Sequence, residues 1–346
     1  MKKLLAIGEA LIDMIPEQVN CGIADVEKFQ PAVGGAPANV CGAFVKLGGE
    51  AQMITQLGDD PFGDKIVAEF DHFGIGRDYV QRTDIANTAL AFVALKDDGN
   101  REFSFYRRPS ADMLMTAQDV KEDWFEDGYA LHFCSVSLGD FPMKEAHRQA
   151  IAYAQAKGML ISFDPNLRKP LWNNEQALYD TVHEYIPYAH IVKISDEELE
   201  FLTGKTEITE ALEQLFTGHV EMVIYTKGAD GAECYTKSAC ASAVSEKVKA
   251  IDTTGAGDAF IGSFLYQMYE HGINAENISE MTSEQMQVFL AFSNRYSGYS
   301  VQRKGVIASY PTMNEISYKR KILSKAVACK CKFCYSKYLR QCAGNG

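Results

Sequence analysis

The residues best suited to chemistry lie late in the sequence, in the string Asp252-Thr-Thr-Gly-Ala-Gly-Asp-Ala-Phe260. It leads from a short apolar run into a segment whose apolar residues are spaced as on a helix. A glycine-rich turn opening a helix presents the backbone N–H groups of Gly255, Ala256 and Gly257 at the positive end of the helix dipole, where a phosphate finds donors. Glycine also lets the phosphate approach the backbone closely. Asp258 follows within the first helical turn, so a hydroxyl held beside a γ-phosphate could give its proton to this carboxylate. That pairing is kinase chemistry. The dipole is expected to favour the ionised carboxylate and make Asp258 a weak base, which a loose phosphoryl-transfer transition state tolerates. A helix cap on a tight turn is the competing reading of an isolated Gly-x-Gly at this position.

Other nucleotide motifs are incomplete. Gly255-Ala-Gly257 lacks the third glycine of a dinucleotide fingerprint, and Gly204-Lys205-Thr206 has Leu199 where a phosphate loop needs glycine. The formal net charge of −12 opposes non-specific nucleic-acid binding and favours a small-molecule partner. Leu4-Leu5-Ala6-Ile7 is too short for a signal-peptide core, and no apolar run could span a bilayer. Nine scattered cysteines, an odd number, argue against a disulfide framework, so a cytoplasmic protein is expected.

The elements that must position this string alternate in type. Short apolar runs at Leu4 to Ile7, Ala130 to Cys134, Leu160 to Phe163, Ile191 to Ile194 and Met222 to Thr226 are separated by helical patterns such as Lys144 to Lys157 and Glu175 to Tyr188. This implies an α/β fold with a doubly wound, mostly parallel sheet. Thr88 to Leu95 and Glu102 to Arg107 flank the turn-rich loop 96–100 and read as a hairpin outside that sheet. Its alternation puts Phe103, Phe105 and Arg107 on one face and Tyr106 on the other.

Taken whole, Asp252 to Phe260 resembles the C-terminal signature of the ribokinase-like (PfkB) carbohydrate kinases. Gly34-Gly35-Ala-Pro-Ala-Asn39 with Leu47-Gly48-Gly49 resembles their N-terminal signature. The order from Gly8-Glu9 through Gly58-Asp59-Asp60-Pro-Phe-Gly63 to Arg303-Lys304-Gly305 agrees as well, so the resemblance covers residues 1 to about 316. It implies one kinase domain over 1–316 with a small β-sheet lid, its strands within about 15–32 and 88–108, and transfer of phosphate from MgATP to a sugar hydroxyl. It implies Asp258 as base, the Gly255 to Gly257 amides as anion hole, and Asp13, Gly34, Gly35 and Asn39 as sugar ligands. Ser195-Asp-Glu-Glu198 is similar to the family's Asn-x-x-Glu motif, with Glu198 organising Mg²⁺ through water; a solvated acidic helix start is the alternative. Lys193, Ser195, Thr226, Gly228, Gly231 and Asn294 would border the nucleotide. Arg295-Tyr296-Ser297-Gly298-Tyr299 departs from the small residues common there. A potassium site would correspond to Asp252, Thr254, Ser300, Gly305 and Ser309, and a homodimer would form through the lid.

Phe163-Asp164-Pro-Asn166-Leu-Arg168 and Phe105-Tyr-Arg-Arg-Pro-Ser-Ala-Asp112 resemble bacterial fructokinases most. Fructose is therefore the expected acceptor, with Arg107 and Arg168 beside the sugar or serving as structural ion-pair partners. Aminoimidazole riboside and 2-keto-3-deoxygluconate kinases share part of the pattern. A silent sugar or nucleotide sensor on the same fold is the reading from another class. Residues 317–346 hold eight Lys or Arg and no acid. Cys329, Cys331, Cys334 and Cys342 could ligate zinc there, but they form no paired Cys-x-x-Cys spacing, and disorder is expected.

Overall fold

The computed structural model describes residues 2–18, 20–95 and 101–320. The loop 96–100 and the expectations for 321–346, including the four clustered cysteines, lie outside the described residues.

In chain order the first half runs β1 (Lys3–Ile7), β2 (Leu11–Pro16), β3 (Phe29–Gly34), α1 (Ala36–Lys46), β4 (Ala51–Gly58), α2 (Pro61–Phe73), β5 (Val80–Thr83), β6 (Leu90–Leu95), β7 (Arg101–Tyr106), β8 (Gly128–Cys134) and α3 (Met143–Ala156). The second half runs β9 (Leu160–Asp164), α4 (Glu175–Tyr185), β10 (Ile191–Ser195), α5 (Asp196–Thr203), α6 (Ile208–Leu215), β11 (Met222–Thr226), β12 (Ala232–Thr236), β13 (Cys240–Ala243), α7 (Ala256–Glu270), α8 (Ser283–Ser300) and α9 (Met313–Arg320). The large sheet has the order β13-β12-β11-β10-β9-β8-β1-β4-β5. It is parallel from β5 to β11 and closes with β12 and β13 antiparallel.

Helices cover both faces of this sheet, which is why its central strands are continuous apolar runs. Along β1 the period-two alternation sends Leu4 and Ala6 into one core with Phe44, Phe264 and Phe289, and Leu5 and Ile7 into another with Phe133, Phe163 and Tyr185. The helix expected over 175–188 stops at Tyr185. Pro187 cannot continue an α-helical ladder, and residues Ile186–Tyr188 tighten into a 3₁₀ turn. Helix α9 crosses the expected 316/317 boundary and carries backbone order through Arg320.

The small sheet has the order β3-β2-β6-β7 and stands apart from the large one. Its first two strands begin and end outside the expected 15–32 window. Leu11 pairs with Gly34 and Asp13 with Ala32, so Asp13 and Gly34 lie on the lid strands themselves. At the base of the lid, Asp60 caps α2: its Oδ1 accepts the N–H of Phe62 at 3.0 Å and of Gly63 at 2.9 Å. Its Oδ2 accepts the N–H of Thr88, just before β6, at 2.7 Å. The Gly-Asp-Asp-Pro-Phe-Gly string thus ties the lid to the core.

Candidate active site

The site lies at the carboxyl ends of the parallel strands, where ligands bind in open α/β sheets. Gly255 adopts φ 73° at the head of α7, a left-handed conformation that glycine accepts without strain. There is no room for more: a Cβ on Gly255 would lie 2.3 Å from Val306 and 2.6 Å from the Tyr310 hydroxyl. Ala256 and Gly257 follow in the first turn with Asp258, whose side chain is buried. Their amides and the carboxylate therefore occupy one end of one helix.

Helix α7 packs closely on α1. A Cβ on Gly262 would fall 2.8 Å from the Val40 carbonyl and 2.7 Å from the Ala43 side chain. This close approach brings Asn39 of α1 to Asp258, with Asn39 Nδ2 donating to Asp258 Oδ2 at 2.8 Å. Asn39 Oδ1 is buried and accepts no hydrogen bond within the protein. A buried amide oxygen without a donor is costly unless a ligand supplies one. Asp13 reaches toward the same loop, since a Cβ on Gly34 would collide with Asp13 Oδ2 at 2.1 Å. Gly35, at φ 108°, passes against the Glu9 carbonyl, where a Cβ would stand 2.4 Å away.

The Asp258 carboxyl is pushed up to about 6. Burial is the main cause; the Asn39 hydrogen bond opposes it, the Asp164 charge adds to it, and Lys193 and Arg168 oppose it. The expectation that the helix dipole makes Asp258 a weak base is thereby corrected. Burial outweighs the helix dipole, and the carboxylate is better matched to proton transfer near neutral pH.

Of the two positions left open for Arg107, beside the sugar or as an ion-pair partner, its contacts are those of the second. It is buried beyond the end of β7 and bound to Asp112 through Nη2 and, at 3.1 Å, through Nε. Nη1 donates to the Val136 carbonyl at 3.1 Å and Nη2 to Ser137 Oγ at 3.2 Å. Ser137 in turn donates to Glu9 Oε2 at 2.8 Å, and Glu9 Oε1 accepts the N–H of Ala36 at 3.3 Å. Every direction of the guanidinium fork is turned to the protein, so Arg107 acts as the ion-pair partner that fastens the lid to β1 and α1. Phe105 packs inward on Leu11, Ala89 and Ala91, while Tyr106 is exposed, as the strand alternation implies. Phe103's side chain lies outside the described residues.

Arg168 follows β9, half-buried, and donates to the Leu167 carbonyl at 3.0 Å. Glu198 is buried, which rules out a solvated helix start. Its Oε1 accepts the N–H of Leu167 at 2.7 Å and its Oε2 that of Ser195 at 2.9 Å, so it fixes the loop after β9 to α5. Lys193 Nζ lies 2.6 Å from Asp164 Oδ2. Thr226 ends β11 and donates to the Ile194 carbonyl at 3.4 Å. Gly228, at φ 49°, and Gly231, at φ 104°, form the following turn, and a Cβ on Gly231 would meet the Ala243 carbonyl at 2.2 Å. Asn294 Nδ2 donates to that same carbonyl at 2.8 Å, so its amide holds the end of β13. Beyond β13, Val244, Val248 and Ile251 are exposed on the way to α7. In the segment that departs from the usual pattern, Ser297 Oγ donates to the Ala256 carbonyl and so braces the anion-binding turn.

The residues matched to a potassium site converge. Thr254 N–H and O–H donate to Asp252 Oδ1 at 3.0 and 2.6 Å, and Gly305 N–H approaches Oδ2 at 3.4 Å. Ile251 and Asp252 N–H groups bond to the Val301 carbonyl at 2.7 and 3.1 Å, which brings Ser300 alongside. Ser300 and Ser309 donate to the carbonyls of Ser297 and Val306 at 2.8 and 2.7 Å and keep their oxygens as acceptors.

The geometry joins a glycine-rich helix start to a buried carboxylate, and the pfkB family carbohydrate kinase profile matches residues 1–313. The chain belongs to this family. It is similar to a probable fructokinase-5 of Arabidopsis thaliana, 37% identical over 323 residues that cover 93% of this chain and 98% of that one. Among solved structures it is similar to a Xylella fastidiosa fructokinase with bound ATP, at TM-score 0.86 and 34% identity over 93% of this chain and 99% of that one. It is also similar to a Vibrio cholerae O395 fructokinase in a fructose-, ADP- and calcium-bound form, at TM-score 0.81 and 30% identity over 92% and 98%.

Reasoning on this PfkB sequence missed Asp164, Glu9, Asp112 and Ser137. Asp164 did carry a signal, since it is an acid at the last position of a buried strand. The other three become partners of Arg107 only through the fold.

Proposed function

We propose that this kinase transfers the γ-phosphoryl group of ATP to the primary hydroxyl of D-fructose, giving fructose 6-phosphate and ADP. The observation that carries the reading is Asp258, raised to about 6 and held by Asn39, in the first turn of the helix whose Gly255 to Gly257 amides form an anion site.

The acceptor lies between the lid and α1, with Asp13, Asn39 and the Gly34-Gly35 backbone binding its hydroxyls. Asp258 accepts the proton as the hydroxyl oxygen bonds to the γ-phosphorus and the bond to the ADP oxygen breaks. The amides of Gly255, Ala256 and Gly257 receive the charge on the transferred group. Lys193, Ser195, Thr226, Gly228 and Gly231 border the nucleotide, with Val244, Val248 and Ile251 offering apolar cover for its base. Mg²⁺ bound with the nucleotide would neutralise its phosphates. Glu198 fits a water-mediated hold on that ion, because each of its oxygens keeps a lone pair beyond the amide it accepts. Asp252, Thr254, Ser300, Gly305 and Ser309 offer oxygens suited to K⁺ beside the anion site.

Arg107 favours a neutral acceptor over an acidic sugar such as 2-keto-3-deoxygluconate. Its charge is already met by Asp112 and Glu9, which leaves Arg168 and the Asp164-paired Lys193 as the cations near Asp258. Phe29, Phe92 and Tyr106 meet edge-on and tilted on the lid with Tyr106 exposed, a surface suited to pairing with a second copy. No helix among the described residues is long and apolar enough to cross a membrane, and a cytoplasmic enzyme is the reading adopted.

The test is ADP release from MgATP with fructose, ribose, adenosine, aminoimidazole riboside and 2-keto-3-deoxygluconate in parallel. Fructose should give the highest kcat/KM. Asp258→Asn should lower kcat by about 10² to 10⁴-fold while nucleotide still binds. Activity on none of these acceptors would instead support a sensor.

A further inference from the structure

The ends of β9 and β10 carry an ion pair of which the reaction as described uses only Lys193, at the border of the nucleotide, and gives Asp164 no part. Ser162 and Phe163 pair with Ile191 and Val192, which sets Asp164 beside Lys193 at the carboxyl edge of the sheet. Nζ and Oδ2 are 2.6 Å apart, and the two side chains are 6% and 2% exposed. Burying such a pair is a poor way to stabilise a fold, since desolvation can exceed the attraction. Its location suggests another use. A Cβ on Gly257 would lie 3.4 Å from Lys193 Nζ, so the ammonium rests against the first turn of α7, next to Asp258. Asp164 Oδ1 is buried and accepts no hydrogen bond from the protein.

The groups around this pair leave it in control of the local charge. His132, from β8, is held neutral, pushed down to about 3 by burial and by Lys193. Cys134, also from β8, stays a thiol because burial and the carboxylates of Asp164, Glu9 and Asp258 push it up. Tyr310 likewise stays protonated, through burial and Asp258. Glu198 from α5 adds a negative charge near Lys193, and Arg168 adds a positive one near Asp258. Asn39 is neutral.

We propose that the Asp164–Lys193 pair is a positioning device for the base: Lys193, fixed against Gly257 by Asp164, keeps Asp258 ionised while Asp164 keeps it proton-accepting. The inference rests on Asp258 being the base. The two members of one ion pair then act on Asp258 with opposite sign, Asp164 raising its proton affinity and Lys193 lowering it.

The experiment is the pH profile of kcat/KM for fructose at saturating MgATP, together with ¹³C NMR titration of the Asp258 carboxyl in the ligand-free protein. Asp164→Asn is isosteric and should move the acid limb and the NMR midpoint down by about one unit. Lys193→Met should move both up by a similar amount. If Lys193→Met fails to fold, Asp164→Leu combined with Lys193→Met removes both charges at similar volume and should titrate between wild type and Asp164→Asn. A midpoint unmoved in Asp164→Asn, or moved upward, overturns the proposal. If Asp258→Asn kept its turnover, the base assignment would fail while the NMR shifts remained, so the two failures are distinguishable.

Discussion

Asn39 Nδ2 and Asp258 Oδ2 stand 2.8 Å apart across 219 residues of chain, and in the proposed reading this hydrogen bond joins the sugar side of the site to the phosphate side. It exists because Gly262 lets α7 press on α1 at Val40 and Ala43. The bond stabilises the ionised carboxylate and engages one of its two oxygens.

Asn39→Ala should therefore do more than weaken sugar binding. Asp258 would keep its burial and lose its strongest stabilising partner, so the acid limb of kcat/KM should rise by about one pH unit. A raised KM for fructose with an unmoved limb would reduce Asn39 to a sugar ligand.

Asp258 should also be a site where function opposes stability. Its carboxyl titrates at about 6 in the fold against a reference of 3.8. Between these values the folded chain holds a proton that the unfolded chain has released, so stability falls as pH rises through that window and the loss is complete above it. Two units correspond to a ceiling of about 3 kcal/mol. Asp258→Asn keeps an acceptor for Asn39 without the charge. It should melt above the wild type at pH 8, with a smaller gap at pH 4; equal melting temperatures at pH 8 would contradict this.

What the sequence could and could not convey follows from the range of each effect. The strand at Leu4 to Ile7 and the turn at Gly255 to Gly257 are local patterns, and both stand in the structure where the pattern places them. The basicity of Asp258 was misjudged because the helix dipole can be read locally, whereas burial depends on α1, β9 and β10 converging on one carboxylate. Arg107 shows the same limit. Its alternation with Phe105 left a sugar ligand and an ion-pair partner both open, and only the fold decides: the strand ends at Tyr106 and the chain then turns the guanidinium inward to Asp112 and Ser137. Glu198 was legible as a helix-start acid, while its second bond, to Leu167, spans 31 residues.

The buried Arg107 network leads to a prediction that separates a clamp from a sugar ligand. Arg107→Met would leave Asp112 and Glu9 without their shared counter-charge, and breaking such a buried pair costs about 3–5 kcal/mol. Urea denaturation should show that loss, and the variant should gain no activity on 2-keto-3-deoxygluconate. Unchanged stability with a raised KM for fructose would return Arg107 to the sugar site.

Asp60 should couple helix capping to the lid. Burial works to raise its carboxyl, but the N–H groups of Thr88, Gly63 and Phe62 and the Thr88 hydroxyl outweigh it and hold the group below its usual value. Its stabilising share is therefore present at neutral pH and fades as pH falls below the unfolded carboxylate's value toward the folded one. Asp60→Ala removes the cap of α2 and the bond to Thr88 together, for a loss of about 2–3 kcal/mol at pH 7. Because Thr88 begins the lid hairpin, KM for fructose should rise while KM for ATP stays near the wild-type value. Asp60→Asn keeps one acceptor and should recover part of the capping energy without restoring both bonds. A variant whose fructose and ATP constants rose together would show that the loosened segment disturbs the whole site rather than the lid.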